Sequence, residues 1–143
     1  MCGEIDEQVQ VGQDLLEHLR VLSRSMELPS GEPGGVGPSN LAEPNGRAAY
    51  MEATFRSGLA RALIDVERAD EDERVDALAS QAIALARLAG FLAGQLPPEA
   101  DLFRATVEAL TAGHSEPREM ADAVRRQQHD HHHHHHDDHH HEH

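Results

Sequence analysis

Histidines are concentrated at the C-terminal end of the chain, in residues 129–143, named the tail below. Of the thirteen histidines in 143 residues, only His18 and His114 lie elsewhere. The tail histidines are His129, His131, His132, His133, His134, His135, His136, His139, His140, His141 and His143. Neutral imidazole binds zinc, nickel, cobalt and copper well, and each ion takes about three to six donors. We therefore predict that the tail binds roughly two to four divalent metal ions in changing combinations.

The acidic residues of the tail should support metal binding. Asp130, Asp137, Asp138 and Glu142 lie among the histidines, and the tail has no Lys or Arg. Carboxylates add oxygen donors and a negative local field that attracts cations. Because adjacent histidines on a flexible chain need no preformed site, we expect high capacity, fast exchange and little selectivity. Copper should bind most tightly; we expect nickel or zinc as the metal used, with cobalt and copper as alternatives.

Two plainer interpretations of the tail exist. Six consecutive histidines are the usual purification tag, although a tag would end cleanly and this run begins with His129-Asp130 and continues as DDHHHEH. The tail could also be low-complexity sequence without function. In composition the tail resembles those of bacterial nickel accessory proteins. That resemblance covers residues 129–143 alone and implies a nickel store, or a carrier to urease, hydrogenase or carbon monoxide dehydrogenase.

Few other residues suggest chemistry. Cys2 is the only cysteine, so no intrachain disulfide can form. If Met1 is removed, the amine and thiolate of Cys2 could chelate nickel or copper. The alternative interpretation of Cys2 is an exposed thiol without a role. We interpret His18 as a surface residue and His114 as a helix-end residue. The sequence contains no nucleotide-binding loop, zinc knuckle or nucleophile–base motif, and we expect no enzymatic activity.

Charge and hydropathy limit the classes of partner. The net charge is −14, which should repel nucleic acid phosphates. The N-terminus lacks the basic and apolar regions of a secretory signal. The longest apolar-rich stretch, Ile83–Leu96, is shorter than a bilayer-spanning helix and contains Arg87. We therefore expect a cytoplasmic protein with neither a nucleic acid nor a membrane partner.

The remaining sequence predicts an all-α fold, a small helical bundle of four to five helices. It has few aromatic residues and many Ala and Leu. The predicted organisation is an amphipathic helix in 1–28, a flexible linker in 29–46, a helical bundle domain in 47–126 and a disordered tail region in 127–143. The linker contains five glycines and four prolines. The first helix, over 4–28, either packs on its own domain or forms a short coiled-coil dimerisation arm.

The bundle domain is predicted to contain helices over 47–69, 71–95, 99–112 and 116–126. Pro97-Pro98 ends the second of these, Gly113 caps the third and Ser115 begins the last. The residues expected to face the core are Met51, Phe55, Leu59, Ala62, Val66, Val75, Leu78, Ala82, Leu85, Ala89, Leu92, Leu96, Leu102, Phe103, Val107, Leu110, Met120 and Val124. Small residues every four positions (Ala82, Ala86, Gly90, Gly94) form a smooth groove, either for an intradomain helix contact or for a homodimer. A client metalloenzyme or a transporter is a further expected partner.

Overall fold

The computed structural model describes residues 3–29 and 37–133, with side chains for 7–29 and 37–129. These residues form four α-helices, α1 (Gly3–Ser25), α2 (Pro44–Arg68), α3 (Arg74–Ala93) and α4 (Leu102–His133), and a 3-10 turn at Pro98–Ala100. Neither of the described ranges contains a strand. The predicted all-α fold is confirmed, with four helices. Contacts divide the chain into two units, Met1–Gln81 and Ala82–His143, which are described in turn.

In the first unit, α1 ends in a hydrogen-bonded cap before Pro29. The N–H of Leu28 donates to the carbonyl of Ser23 over 3.0 Å, and that of Glu27 donates to Arg24 over 3.2 Å. Glu27 has a φ of 52°. This is a Schellman cap, whose left-handed position usually holds glycine. The cap satisfies the last carbonyls of α1 and therefore ends the helix at Ser25, three residues before the predicted end.

The half-buried side of α1 is a narrow leucine stripe. Leu15, Leu19 and Leu22 are half-buried, and their spacing places them on one face of the helix. Val9 and Leu16, which also belong to the predicted stripe, are 53% and 48% exposed. The half-buried face of α1 is therefore centred on the three leucines.

Helix α2 begins three residues earlier than predicted, at Pro44. Glu43, which precedes it, is extended, and Pro44 occupies the first helical turn, where its missing N–H costs nothing. Just upstream, the Asn40 carbonyl accepts the N–H of Glu43 over 3.1 Å. A Cβ at Gly46 would overlap that same carbonyl. Only glycine therefore allows the turn at Asn40 to lie this close to the start of α2.

Small residues mediate the contact of α2 with the beginning of α3. Ala62, Ala69 and Ala77 are half-buried, and small side chains let helices approach closely. The amide nitrogen of Gln81 donates to the Ala62 carbonyl over 3.4 Å, which ties the two helices together. The predicted inner face of α2 is correct only in its C-terminal half, where Val66 is also half-buried.

The N-terminal half of α2 exposes the large apolar residues that were predicted to face the core. Met51, Phe55 and Leu59 are 63%, 52% and 58% exposed. The prediction of burial is wrong for these three residues. The reason is that the contact with α3 involves the alanines near Arg68, so the first turns of α2 extend past it.

In the second unit, α3 and α4 meet through one buried alanine. Ala93 is buried, and no other residue with a described side chain is. Ala89 on α3 and Leu102 and Thr106 on α4 are half-buried. Phe103, a predicted core residue, is 73% exposed, so the predicted inner face of α4 is wrong by about one residue. Helix α4 begins at Leu102, directly after Asp101 with a φ of 48°, and this register turns Leu102 inward.

The groove of small residues on α3 is not the half-buried face of that helix. Ala82, Ala86, Gly90 and Gly94 are all exposed. The half-buried or buried positions lie one residue earlier in the register, at Ala77, Gln81, Ala89 and Ala93. The expected intradomain contact through the groove is therefore wrong. The remaining large residues predicted on α3, Val75, Leu78, Leu85 and Leu92, are each at least half exposed.

The two helices predicted on either side of Gly113 are one continuous helix, α4. Gly113 lies in its interior, as does Pro117. The Ser115 hydroxyl donates to the Thr111 carbonyl over 3.2 Å, one turn back along the same helix, and does not cap a new one. The predicted cap at Gly113 and the helix start at Ser115 are both wrong. A single proline costs a helix one hydrogen bond and a kink, and good helix formers on both sides of Pro117 outweigh that cost.

The length and apolar composition of helix α3 bear on the cellular location of the protein. Among the described helices, only Arg74–Ala93 is long and apolar enough to cross a membrane by length and composition. It extends beyond the stretch considered from the sequence, although Arg87 lies within it. Core helices of soluble proteins have the same length and composition, so this property alone assigns no location.

Candidate metal centre

The tail begins on the last turns of α4. The helix continues past Gln127 to His133, so four of the predicted ligands, His129, His131, His132 and His133, occupy helical backbone positions. The other seven, His134, His135, His136, His139, His140, His141 and His143, lie outside the described residues. So does the predicted disorder from residue 134 onward. The assignment of all eleven histidines as metal ligands stays a prediction.

The sequence between Pro117 and the tail accounts for this extension of the helix. Residues 118–128, REMADAVRRQQ, contain no glycine, proline or β-branched residue except Val124. Ala, Arg, Glu, Gln and Met are among the strongest helix formers. Once α4 has passed Pro117, no residue before the tail interrupts it, and the helix continues into the first histidines.

The register of α4 sorts the four helical histidines into two groups. With 3.6 residues per turn, positions three and four apart share a side of a helix. Positions 132 and 133 therefore lie on the same side as His129, while position 131 lies on the opposite side.

Two arginines lie one turn before His129, and both interact with the preceding turn. The Arg125 guanidinium is 3.8 Å from the Asp122 carboxylate. Nε of Arg126 donates to the Asp122 backbone carbonyl over 3.3 Å. These contacts draw both guanidinium groups toward Asp122, away from the end of α4. The last turn of any helix also carries partial negative charge on its unpaired carbonyls, which favours a cation there.

Helix α4 is exposed to solvent from Val107 to His129. The two large apolar side chains closest to the tail, Met120 and Val124, are 68% and 52% exposed. The predicted burial of Val107, Leu110, Met120 and Val124 is therefore wrong for this part of the helix. Because none of the residues with described side chains buries this stretch, His129 lies on a solvent-facing part of α4.

The other residues considered for chemistry are dispersed. His18 is exposed on α1, as predicted for a surface residue. His114 is exposed within α4, so its predicted position at a helix end is wrong. Cys2 lies outside the described residues. In the part of the chain that the structure describes, no three His, Cys, Asp or Glu residues come together as a metal site.

Comparisons with protein-family models, curated proteins and solved structures find no match to this chain. The features of this chain that bear on function are therefore its own tail histidines and the exposed helix on which the tail begins.

Proposed function

We propose that this chain is a divalent transition-metal binding protein, a store or metallochaperone for nickel or zinc. The observation that carries the proposal is the concentration of eleven of thirteen histidines in the last fifteen residues. Imidazole nitrogens in such number are suited to Ni²⁺, Zn²⁺, Co²⁺ and Cu²⁺ and have little affinity for Mg²⁺ or Ca²⁺. The cytoplasm is the proposed location.

The exposure of α4 supports a role in exchanging metal rather than in retaining it. Structural zinc sites are closed by four protein ligands inside a fold, and removing the metal unfolds such domains. Here the first tail histidine, His129, lies on an exposed stretch of α4 and not inside a closed core. Ions would bind with fast exchange, which is what a store or a delivery protein needs and what a structural site avoids.

The helical part of the chain is proposed to recognise the protein that receives the metal. Its exposed apolar residues, among them Met51, Phe55 and Leu59 on α2, support a role in protein contacts. The receiving protein would be a metalloenzyme or a transporter. Formation of a homodimer is a second proposed role of the same helices. We propose no enzymatic activity and no nucleic acid partner, the latter because of the net charge of −14.

A second candidate function is a helical adaptor or regulatory protein whose tail only buffers or senses metal. The same exposed apolar residues favour it, because they would serve an adaptor as well as a metallochaperone. The two candidates differ in what the tail does for the partner. A metallochaperone without its tail keeps the partner and fails to deliver metal, whereas an adaptor without its tail keeps its main activity.

The test compares the full chain with a chain that ends at Gln128. Calorimetric titration with nickel or zinc near neutral pH should show several ions per full chain and none on the shortened one. The far-ultraviolet circular dichroism of the full chain should change little on metal addition, because the ligands lie on and beyond the last turns of α4 and not among the other helices. Absence of binding by the full chain contradicts the proposal. Binding retained by the shortened chain would place the site elsewhere, with Cys2 the first residue to substitute.

A further inference from the structure

We infer that a second copy of this chain covers an apolar stripe on helix α4, so that two chains pair through this helix. The stripe, named the α4 stripe below, consists of Val107, Leu110, Pro117, Met120 and Val124. This inference specifies the homodimer named in the proposed function and is independent of metal binding. The stripe exists only because α4 continues through Gly113 and Pro117 as one helix.

The α4 stripe has the spacing of a helix that packs along a second helix. Leu110, Pro117 and Val124 recur every seven residues, which keeps them in one line when two helices supercoil around each other. Val107 lies three residues before Leu110, and Met120 lies three residues after Pro117, so the two flank that line on either side. The five residues therefore form one continuous face of α4.

The chain itself leaves the α4 stripe uncovered. All five of its residues are exposed, and among the residues with described side chains only Ala93 is buried. A helix in a protein takes most of its stability from packing an apolar face rather than from helix propensity. The stripe therefore needs cover from another molecule.

The area of the α4 stripe matches what a dimer needs. Its four large side chains are between 47% and 68% exposed. With Pro117 and the neighbouring Ala121 and Ala123, the stripe presents on the order of 500 Å² of apolar surface per chain, as large as the biggest patch on a typical monomer. Two copies that cover each other's stripe bury about 1,000 Å² in total, which is the lower limit expected of a specific interface.

The distribution of charge allows two copies to meet at this helix. The chain carries −14, so two copies repel each other overall. Residues 102–128, by contrast, contain four arginines and four acids, and therefore carry no net charge. None of these eight residues belongs to the stripe, and several pair within the helix: Arg104 with Glu108 over 3.1 Å, and Arg125 with Asp122 over 3.8 Å. A basic partner would instead be attracted to the acidic surface outside α4.

The α4 stripe is complementary to itself in an antiparallel pair. When Leu110 of one chain lies beside Met120 of the second copy, Val107 comes within one residue of Val124 of that copy. The same two contacts then repeat on the other side of the two-fold axis, as an isologous interface requires. A parallel pair would bring together two tails that each contain four acids and no Lys or Arg, and their like charges would oppose it.

The first test measures the molar mass of the full chain by sedimentation equilibrium. A metal chelator is present, so that tail histidines cannot bridge two chains through a metal ion. We expect an equilibrium between the monomer and a dimer of twice 15.7 kDa. A monomer at every concentration up to about 100 μM would overturn the inference, because a specific interface of this area should associate below that value. Co-sedimentation of a monomeric chain with phosphatidylcholine vesicles would also overturn it, since lipid would then cover the stripe.

Leu110→Glu and Ala112→Glu are the matched variants of the interface. Both replace an exposed apolar residue of α4 by glutamate, but Ala112 lies on the opposite side of the helix. Leu110→Glu should raise the Kd of the dimer by at least about tenfold, because each dimer would bury two unpaired carboxylates. Ala112→Glu should change the Kd by less than about threefold. Equal Kd values for the two variants would contradict the interface.

Leu110→Lys combined with Met120→Glu tests the antiparallel register. The two positions are nearly three turns apart on one helix, so the introduced charges cannot pair within a chain. In the antiparallel dimer each introduced lysine lies beside a glutamate of the second copy. The double variant should therefore associate at least about tenfold more tightly than Met120→Glu alone; weaker association would contradict the antiparallel pair. A dimer that passes these tests in a chain that binds no nickel or zinc would support the interface while the proposed metal function fails.

Discussion

Leu28 donates its backbone N–H to the carbonyl oxygen of Ser23 over 3.0 Å, and this bond closes α1 across a left-handed residue. That residue is Glu27, with a φ of 52°. A residue with a Cβ in this conformation costs roughly 1–2 kcal/mol, a cost that glycine avoids. Glu27 is therefore less favourable than glycine at this position of the cap.

We expect Glu27→Gly to stabilise the chain by about 0.5–1 kcal/mol, after the greater entropy of glycine in the unfolded chain is subtracted. The measurement is the free energy of unfolding in urea. The matched control is Glu7→Gly, the same substitution within α1, which should destabilise by about 0.5–1 kcal/mol. A loss of stability in both variants would mean that the end of α1 is not closed by this cap.

Phe103 and its neighbour Leu102 provide a test of the inner face of α4. Phe103 is 73% exposed, and Leu102 is half-buried beside the contact with α3. Phe103→Ala should therefore change the free energy of unfolding by no more than about 0.5 kcal/mol, as for other surface positions. A buried phenylalanine would cost about 3–5 kcal/mol.

Leu102→Ala is the comparison for that variant and should cost about 1–2 kcal/mol, less than a fully buried leucine, because the side chain is only half-buried. Both values come from thermal or urea unfolding of the full chain. If Phe103→Ala were the more costly of the two, the register in which α4 begins after Asp101 would be incorrect.

Gly113 tests whether α4 is one helix. In the structure a Cβ at Gly113 would meet no atom within 4 Å, and the residue is in the middle of the helix. Gly113→Ala should stabilise the chain by about 0.5–1 kcal/mol, because alanine is the better helix former. A glycine that caps a helix in the left-handed conformation would give the opposite sign.

Gly46→Ala is the contrasting substitution. Its Cβ would overlap the Asn40 carbonyl, so the turn before α2 must move, at a cost of about 1–3 kcal/mol. Urea unfolding followed by circular dichroism gives the change in the free energy of unfolding for Gly113→Ala and Gly46→Ala, and the two changes should have opposite signs. Destabilisation by Gly113→Ala would restore the interpretation of two separate helices.

The sequence predicted the existence of the helices better than their contacts. Apolar spacing and the prolines at positions 29, 97 and 98 marked where α1 and α3 end, whereas Pro44 was placed in the linker although it begins α2. The packed faces were missed because alanines, which carry little periodic signal, make the contacts around Ala62 and Ala93, while larger residues remain exposed. Gly113 and Pro117 are residue types that often end a helix, yet the helix formers around them were sufficient to continue α4.

The composition of the candidate site can be read from the sequence, whereas the helical backbone of its first residues could not. Eleven histidines are evident without any structure, because ligand type alone indicates metal. Which of them share a side of a helix depends on where α4 ends, and that depends on the absence of any helix-breaking residue between Pro117 and His129. Low complexity suggested disorder from Gln127 onward, whereas the helix has enough favourable residues to reach His133.

Metal affinity should fall steeply as the pH is lowered, and this tests the histidine mechanism itself. Histidine must be neutral to bind a metal, and its ordinary pKa is about 6.5. Near pH 7.5 most tail histidines can coordinate, and the acidic side chains give the tail a charge of −4. Well below pH 5.5, protonation of all eleven histidines would bring that charge to +7, so the tail would repel the ion as well as lack free lone pairs.

Several histidines act on each ion, so affinity should decrease by more than about tenfold per pH unit below pH 6.5. The four acids favour the protonated histidines, whereas protonated neighbours disfavour further protonation, so the decrease should extend over a broad pH range. The measurement is the affinity for nickel or zinc at pH 7.5, 6.5 and 5.5. The chain that ends at Gln128 serves as the control and should bind at none of these values. An affinity independent of pH would show that carboxylates, and not imidazoles, hold the ion, since free carboxylates stay ionised throughout this range.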